Sequence, residues 1–239
     1  MAAAETTGLV TGIDPTQLSL MTAAQQGQHV VYSLDVQTLL IITGLAFLPG
    51  LILLMSAFTR IVVILAIVRQ ALGLTTTPPN MVLIALAFVL TGFVMQPTLA
   101  TVSNDALQPY LGAKIDFNTA TERAEKPLRD FMLSQVRERE LHLFVDLSGK
   151  QSYSDVQSIP MLVLVPAFAT SELQTAFQIG FLVYIPFVLI DLAVASILMA
   201  LGMIMVSPTL ISLPIKLLLF VSIGGWSLLM GTMAHSFLH

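Results

Sequence analysis

The chain has 239 residues, of which 56% are hydrophobic and only 10% charged, with a formal net charge of -4 and a mean hydropathy of +0.87. Soluble domains carry roughly 25% charged residues, so an ordinary soluble fold is excluded. The absence of cysteine excludes disulfides and thiol chemistry, and nucleic acid is excluded as a partner because no basic patch stands free of acidic neighbours.

In chain order, residues 1–35 are mixed and rich in Gly, Thr and Gln, which reads as a flexible lead-in. The opening MAAAETTGLV has neither the basic nor the apolar region of a signal peptide. Either the first apolar segment acts as its own signal, or a cleaved leader once preceded it. Residues 36–103 read as a first pair of hydrophobic helices. The uncharged stretch 36–59 is long enough to span a hydrocarbon core of ~30 Å, and Pro49-Gly50 is expected to kink it rather than end it. The apolar pattern runs on past Arg60 to Val68, so this first helical stretch exceeds one bilayer crossing. Pro78 and Pro79 then break the chain, and a second apolar helix follows over 81–102, with Pro97 near its end.

Residues 104–158 differ in kind: sixteen of the 24 charges fall between Asp105 and Asp155. This is a polar insert between hydrophobic halves. Thr119 and Glu122 have capping-box spacing, and Glu122/Lys126 and Glu125/Arg129 are favourable i,i+4 pairs. Leu128, Met132 and Val136 line one face. The pattern predicts two or three amphipathic helices, with Pro127 starting one of them. Residues 159–239 form a second hydrophobic helical pair. Residues 173–206 would make a straight helix of about 50 Å at 1.5 Å per residue. Pro186 is expected to bend it, and Pro208 and Pro214 to separate it from a last helix over 215–237. The predicted fold class is all-α: an integral membrane protein of long, kinked hydrophobic helices with a helical polar insert. Ala176/Gly180 and Ser196/Ala200 are small-x-x-x-small pairs of the kind that allow close helix packing. The insert carries seven Lys and Arg, which on charge count alone points it to the cytoplasm, but its length is where that rule weakens.

Charges in the C-terminal half are few enough to name. From Val156 to the end there are Glu172, Asp191 and Lys216. Ionisable groups in apolar spans are costly and mark functional or pairing sites. Proton relay or substrate contact is one reading; ion pairing between helices or between subunits is the other. Arg60 and Arg69 can also snorkel from helix ends. Met199, Met203 and Met205 cluster before Pro208; thioethers fill core gaps, but repeated around an axis they would form a soft, deformable constriction. P-loop, H-E-x-x-H and G-x-S-x-G motifs are absent, so neither an enzyme nor a cofactor is expected.

Several blocks are more specific. The segment 166–180, PAFATSELQTAFQIG, continues through Ile185-Pro186-Phe187 and Ile190-Asp191. With it go SAFTRI at 56–61, RQALG at 69–73, TPPN at 77–80, ERAEKPLRDFM at 122–132 and ISLPIK at 211–216. Together they resemble the FliP/SctR type III export-gate family, in its flagellar branch, from about residue 36 to the end.

That resemblance implies a protein of the bacterial inner membrane and flagellar basal body, passing unfolded flagellar subunits through a pore. It implies assembly of about five copies around an axis together with FliQ and FliR, and FlhA, FlhB and an export ATPase on the cytoplasmic side. It also implies a periplasmic insert, against the charge count, a cleaved leader, and helices standing largely above the bilayer plane. Met203, Ile204 and Met205 fall where the family has a methionine run sealing the closed pore, Ile204 lacking the thioether. Glu172 and Lys216 fall on charges that bridge neighbouring subunits. Gln174 stands where the family usually has Lys, and Gly224 where it has Asp, so roles resting on those two charges do not transfer. The reading from another class is a small-solute or proton-coupled carrier using Asp191 and Lys216, although no internal repeat of the kind carriers show is evident. A purely structural basal-body anchor is a third.

Overall fold

The computed structural model describes residues 22–26, 29–33, 36–149, 153, 155–203 and 205–237, with side chains from Thr38 onward. It divides at Gly50 into two compact units. In the first, strands β1 (Thr22–Gln26) and β2 (His29–Ser33) pair antiparallel, with Thr22 opposite Ser33 and Gln26 opposite His29. This small hairpin lies within the stretch read as a flexible lead-in. Apart from it, the described elements are helical, as the composition predicts.

Helix α1 (Val36–Leu54) crosses the division and keeps Pro49 inside it. The interruption comes later, at Met55–Ala57, where Ser56 Oγ donates to Leu53 O at 2.7 Å and accepts from Phe58 N–H at 3.3 Å. A side chain that bonds backbone groups on both sides of itself offers the chain an alternative to the helical ladder. The long first helix expected from hydropathy is therefore two, and α2 (Phe58–Ala71) is a separate element.

Helix α2 is the axis of the second unit. Arg60, Ile61, Ile64, Leu65, Val68 and Ala71 are all buried, a stripe at helical spacing. Gly73, at a φ of +78°, ends it. Gly73 N–H donates to Gln70 O and Leu74 N–H to Arg69 O, the paired bonds of a glycine-capped helix end. Arg69 then holds the Pro-Pro turn, donating to Asn80 Oδ1 at 2.6 Å and Pro78 O at 3.2 Å.

Helix α3 (Asn80–Val94) packs Leu83 and Ala87 on the α2 stripe. It bends by 67° at Met95 into a run from Gln96 to Leu111, comprising α4 (Gln96–Val102), a π turn (Ser103–Leu107) and α5 (Gln108–Leu111). The second apolar helix is thus broken earlier than expected and carries helical structure into the insert.

Helix α6 (Phe117–Gln135) corrects two expectations. Its N-cap is Asp116 rather than Thr119, which sits inside the first turn and donates its hydroxyl to Asp116 Oδ1. That hydrogen bond holds the Asp116 carboxyl below its ordinary pKa. Pro127 lies within α6 instead of starting a helix. The Glu125–Arg129 pair forms, but among the described residues the Glu122–Lys126 pair does not.

Helix α7 (Glu138–Leu147) follows after two extended residues, Val136 and Arg137. Helix α8 (Met161–Ala200) is 40 residues long, about 60 Å at 1.5 Å per residue. It contains both Pro166 and Pro186 without ending at either, and it starts well before the predicted 173. Its early residues Val163, Leu164 and Phe168 share a core with Met132 of α6, Val145 of α7 and Ile159. Lower down, Ala176 and Phe187 join the α2 core. One helix therefore serves both the insert and the hydrophobic body.

Helix α9 (Pro208–Ser222) opens on Pro208 at its first position, where no N–H is needed, and encloses Pro214. The break falls instead at Gly224, in the left-handed region at a φ of +63°, followed by α10 (Gly225–His235) at 65° to α9. Among the described residues, α8 is the one helix that by length and composition can cross a membrane by itself, and up to four spans result if each of three bent pairs counts as one: α1/α2, α3 with 96–111, and α9/α10. Exposed apolar side chains on α8, among them Phe181, Leu189, Leu192 and Ile197, form a surface larger than water tolerates. The molecule is a membrane protein.

Candidate functional site

Among the described residues, the hydrophobic body offers one fully buried ion pair, a second whose acid is partly exposed, and one apolar loop. The first pair joins α2 to α8. Arg60 is 2% exposed and Glu172 0%. Their contact is a two-pronged fork, Nε donating to Oε2 at 2.9 Å and Nη2 to Oε1 at 2.5 Å. Arg60 Nη1 donates to Ser236 O at 2.8 Å and Ser236 Oγ at 3.1 Å, and Nη2 to Gln135 Oε1 at 3.1 Å. All five guanidinium N–H groups are thus engaged, which is what makes a buried arginine tolerable. The Phe237 ring closes one face, its centroid 3.8 Å from Arg60 Cζ. Phe131 lies between Phe237 and Phe168, so aromatic rings exclude water from the pair.

The same node fixes the insert. Ser171, beside Glu172 and fully buried, accepts from Arg137 N–H at 3.0 Å and donates to Gln135 O at 3.5 Å. Arg137 also donates its guanidinium to Gln178 Oε1. The extended turn between α6 and α7 is thereby pinned to α8 at the level of the ion pair.

The second pair joins α8 to α9. Lys216 is 4% exposed and Asp191 32%, with Nζ 2.5 Å from Oδ2. Ser212, one turn before Lys216, donates to Asp191 Oδ1 at 2.5 Å. Lys216 Nζ also donates to Ala71 O at 3.1 Å. That carbonyl belongs to the last turn of α2, the end of a helix that favours a cation. Between the nodes, Gly180 meets α2 directly: a Cβ built there would lie 2.4 Å from Ile67 Cδ1. Arg60 opposite Glu172 and Ile67 opposite Gly180 mean that α2 and α8 run parallel.

The apolar loop lies beyond the second pair. Gly202, at a φ of +76°, ends α8, with Gly202 N–H donating to Met199 O and Met203 N–H to Leu198 O, the same glycine-cap pattern as at Gly73. Met203 is exposed and Met205 is 100% exposed. Ile204 lies outside the described residues. Asp191 precedes the helix end by nine residues, about 14 Å of helix.

The structure therefore brings Arg60 to Glu172 and Asp191 to Lys216, and keeps the Met203/Met205 loop apart from both. Within one chain both charges assigned to subunit bridging already have an opposite partner. Sequence reasoning missed Gln135, Ser171, Ser212, Ser236 and Phe237. Ser212 had a usable signal, a hydroxyl four residues from a lone lysine in an apolar helix. The carbonyl of Ser236 had none.

Helices broken at glycine and serine, unpaired apolar surface and compensated charges within the helices define an integral membrane protein. The FliP family model matches residues 41–233. A flagellar biosynthetic protein FliP from Cereibacter sphaeroides is 52% identical over 206 residues, 86% of this chain and 68% of that one. Its counterpart from Pectobacterium carotovorum subsp. carotovorum is also 52% identical over 206 residues, covering 86% and 80%. The Bacillus subtilis (strain 168) protein is 45% identical over 205 residues, covering 86% and 93%. The chain belongs to the FliP family.

Proposed function

We propose that this component of the flagellar export apparatus is a pore-forming subunit of the export gate, conducting unfolded flagellar subunits across the inner membrane. About five copies surround a central axis with FliQ and FliR, close to FlhA and FlhB in the basal body, and the insert faces the periplasm. The observation that carries this reading is the exposed Met203/Met205 loop at the tip of the α8–α9 hairpin. A fully exposed methionine next to a rigid glycine cap is poor chemistry for a core and suits a surface repeated around an axis. Flexible thioethers pack against one another when the pore is empty and yield to polypeptides of varied sequence. The Asp191–Ser212–Lys216 cluster ties the two arms of that hairpin together and to the end of α2, so the loop has a fixed base. Glu172 and Lys216 act on subunit contacts through the helices they position, each being paired first within its own chain.

The test is ion conductance of assembled complexes in planar bilayers. Met203→Ala is expected to leave the oligomer intact and raise leak through the closed pore. Unchanged leak in intact oligomers carrying both Met203→Ala and Met205→Ala would remove the seal assignment.

A further inference from the structure

Between the insert and the hydrophobic body, α8 carries an exposed face that is not purely apolar. Thr170 and Gln178 are exposed and Gln174 is half-buried. With Leu173, Phe177 and Phe181 they line a shallow, open depression of about 620 Å³. Gln174 makes no hydrogen bond among the described residues. Gln178 Oε1 accepts from the guanidinium of Arg137, and Thr170 Oγ1 donates to Pro166 O at 2.9 Å. Hydrocarbon offers an amide no partner, so polar side chains of membrane helices turn to protein or to water. By contrast, Leu210, Pro214, Leu218 and Val221 share an exposed face of α9 that carries no polar side chain and suits lipid.

Two features favour a passing polypeptide over a neighbouring helix on this face of α8. Helices approach closely in membranes over small side chains. Those of this stretch, Ser171, Ala176 and Gly180, are all buried on the other side, Gly180 against Ile67 of α2. The exposed face is bulky from Leu173 to Phe181. It also bears no charge of its own: Glu172 is buried with Arg60, and Arg137 at the rim is half-buried and held by Gln178. A glutamine amide both donates and accepts, as a peptide group does. It can serve any extended backbone whatever side chains that backbone carries.

The same face leads to the apolar loop. About eighteen residues of α-helix make five turns, so along α8 Met199 lies below Phe181, Leu192 below Gln174 and Val188 below Thr170. All three lower residues are exposed. Leu189 and Ile197, also exposed, lie about 80° and about 160° round the helix from Phe181. Met199 is followed at Gly202 by the cap from which Met203 and Met205 project.

We propose, on the conducting reading above, that this face of α8 is the wall met by an exported chain between the Met203/Met205 seal and the insert. Gln174 and Gln178 exchange hydrogen bonds with its extended backbone, and Phe177 and Phe181 cover its apolar side chains. With no fixed charge on the face, acidic and basic segments of the passenger move past it alike.

Photoreactive p-benzoylphenylalanine is placed at Phe177, at Met203 and, as a lipid-side reference, at Leu218, in cells that assemble the whole export apparatus. The probe is a flagellar subunit fused at its C-terminus to a tightly folded domain, which stalls the chain in transit. Crosslinks to the stalled chain are expected from Phe177 and Met203 and not from Leu218. Gln174→Leu, which breaks no hydrogen bond within the chain, is expected to lower the yield from Phe177 several-fold; an undiminished yield would overturn the role of the amides. A crosslink from Phe177 to a second copy or a partner subunit, with or without the fusion, would make this face an interface and overturn the proposal. Crosslinks from Met203 alone would take the path off α8 and leave the gate reading standing. No crosslink to the stalled chain from either position would overturn both.

Discussion

Arg60 directs all five N–H donors at groups of its own chain, and Glu172 is the only charge among them. Deleting the acid leaves a guanidinium buried without its counter-charge, which typically costs about 3–5 kcal/mol. Glu172→Ala is therefore expected to lower thermal stability in detergent and deplete the assembled oligomer more than it lowers conduction per surviving complex. An Arg60→Met/Glu172→Leu double variant is expected to recover much of the stability, since neither charge is then stranded; if it melts no higher than Glu172→Ala, the pair is not what holds the node. The four charges of both nodes stood out in the sequence because each is isolated among apolar residues. Their pairing did not, since Arg60 and Glu172 are 112 residues apart and periodicity carries no information at that range. Gln135 and Ser236 were invisible for a related reason: one works through a side-chain amide and the other largely through a backbone carbonyl.

Among the described helices, a serine or a glycine marks the ends of α1, α2, α8 and α9, whereas five prolines lie inside helices without ending them. Pro49, Pro127, Pro166, Pro186 and Pro214 all lie inside helices. Gly73, Gly202 and Gly224 mark ends or bends with positive φ. A proline removes one donor and bends a long apolar helix, whereas a glycine that adopts φ > 0 lets the last carbonyls find new partners and stops it. Helix existence was legible from hydropathy for this reason, and helix boundaries were displaced toward the prolines. The Ala176/Gly180 pair was read correctly as a close-packing site, whereas Ser196 and Ala200 are exposed within the chain. Gly180 faces Ile67 so closely that any Cβ forces α2 and α8 apart. Gly180→Val is expected to destabilise the protein by about 1–3 kcal/mol, the usual cost of overpacking. Adding Ile67→Ala is expected to return part of that loss in a detergent melting experiment.

For the molecule as a whole, α8 is the shared member: its first turns belong to the core of the insert, its middle to the α2 core, and its end to the Met203/Met205 loop. The two ion pairs fix it at Glu172 and at Asp191, about 28 Å apart along the helix. The lower one sets the height of the hairpin tip. Lys216→Met removes the bonds to Asp191 and Ala71 together, and on the pore reading proposed above its expected signature is a leaking closed pore accompanied by a lower melting temperature. Met203→Ala is expected to leak without the change in melting. Should Lys216→Met keep a tight pore while melting lower, the pair serves stability alone.

Lys216 and Arg60 also bear on how such a machine is built. Because Glu172 and Asp191, the acids of α8, each meet a base of the same polypeptide, neither carboxylate depends on a neighbouring copy for its counter-charge. On the multi-copy reading proposed above, the order of construction is then left to shape and surface fit and is not forced by a stranded carboxylate.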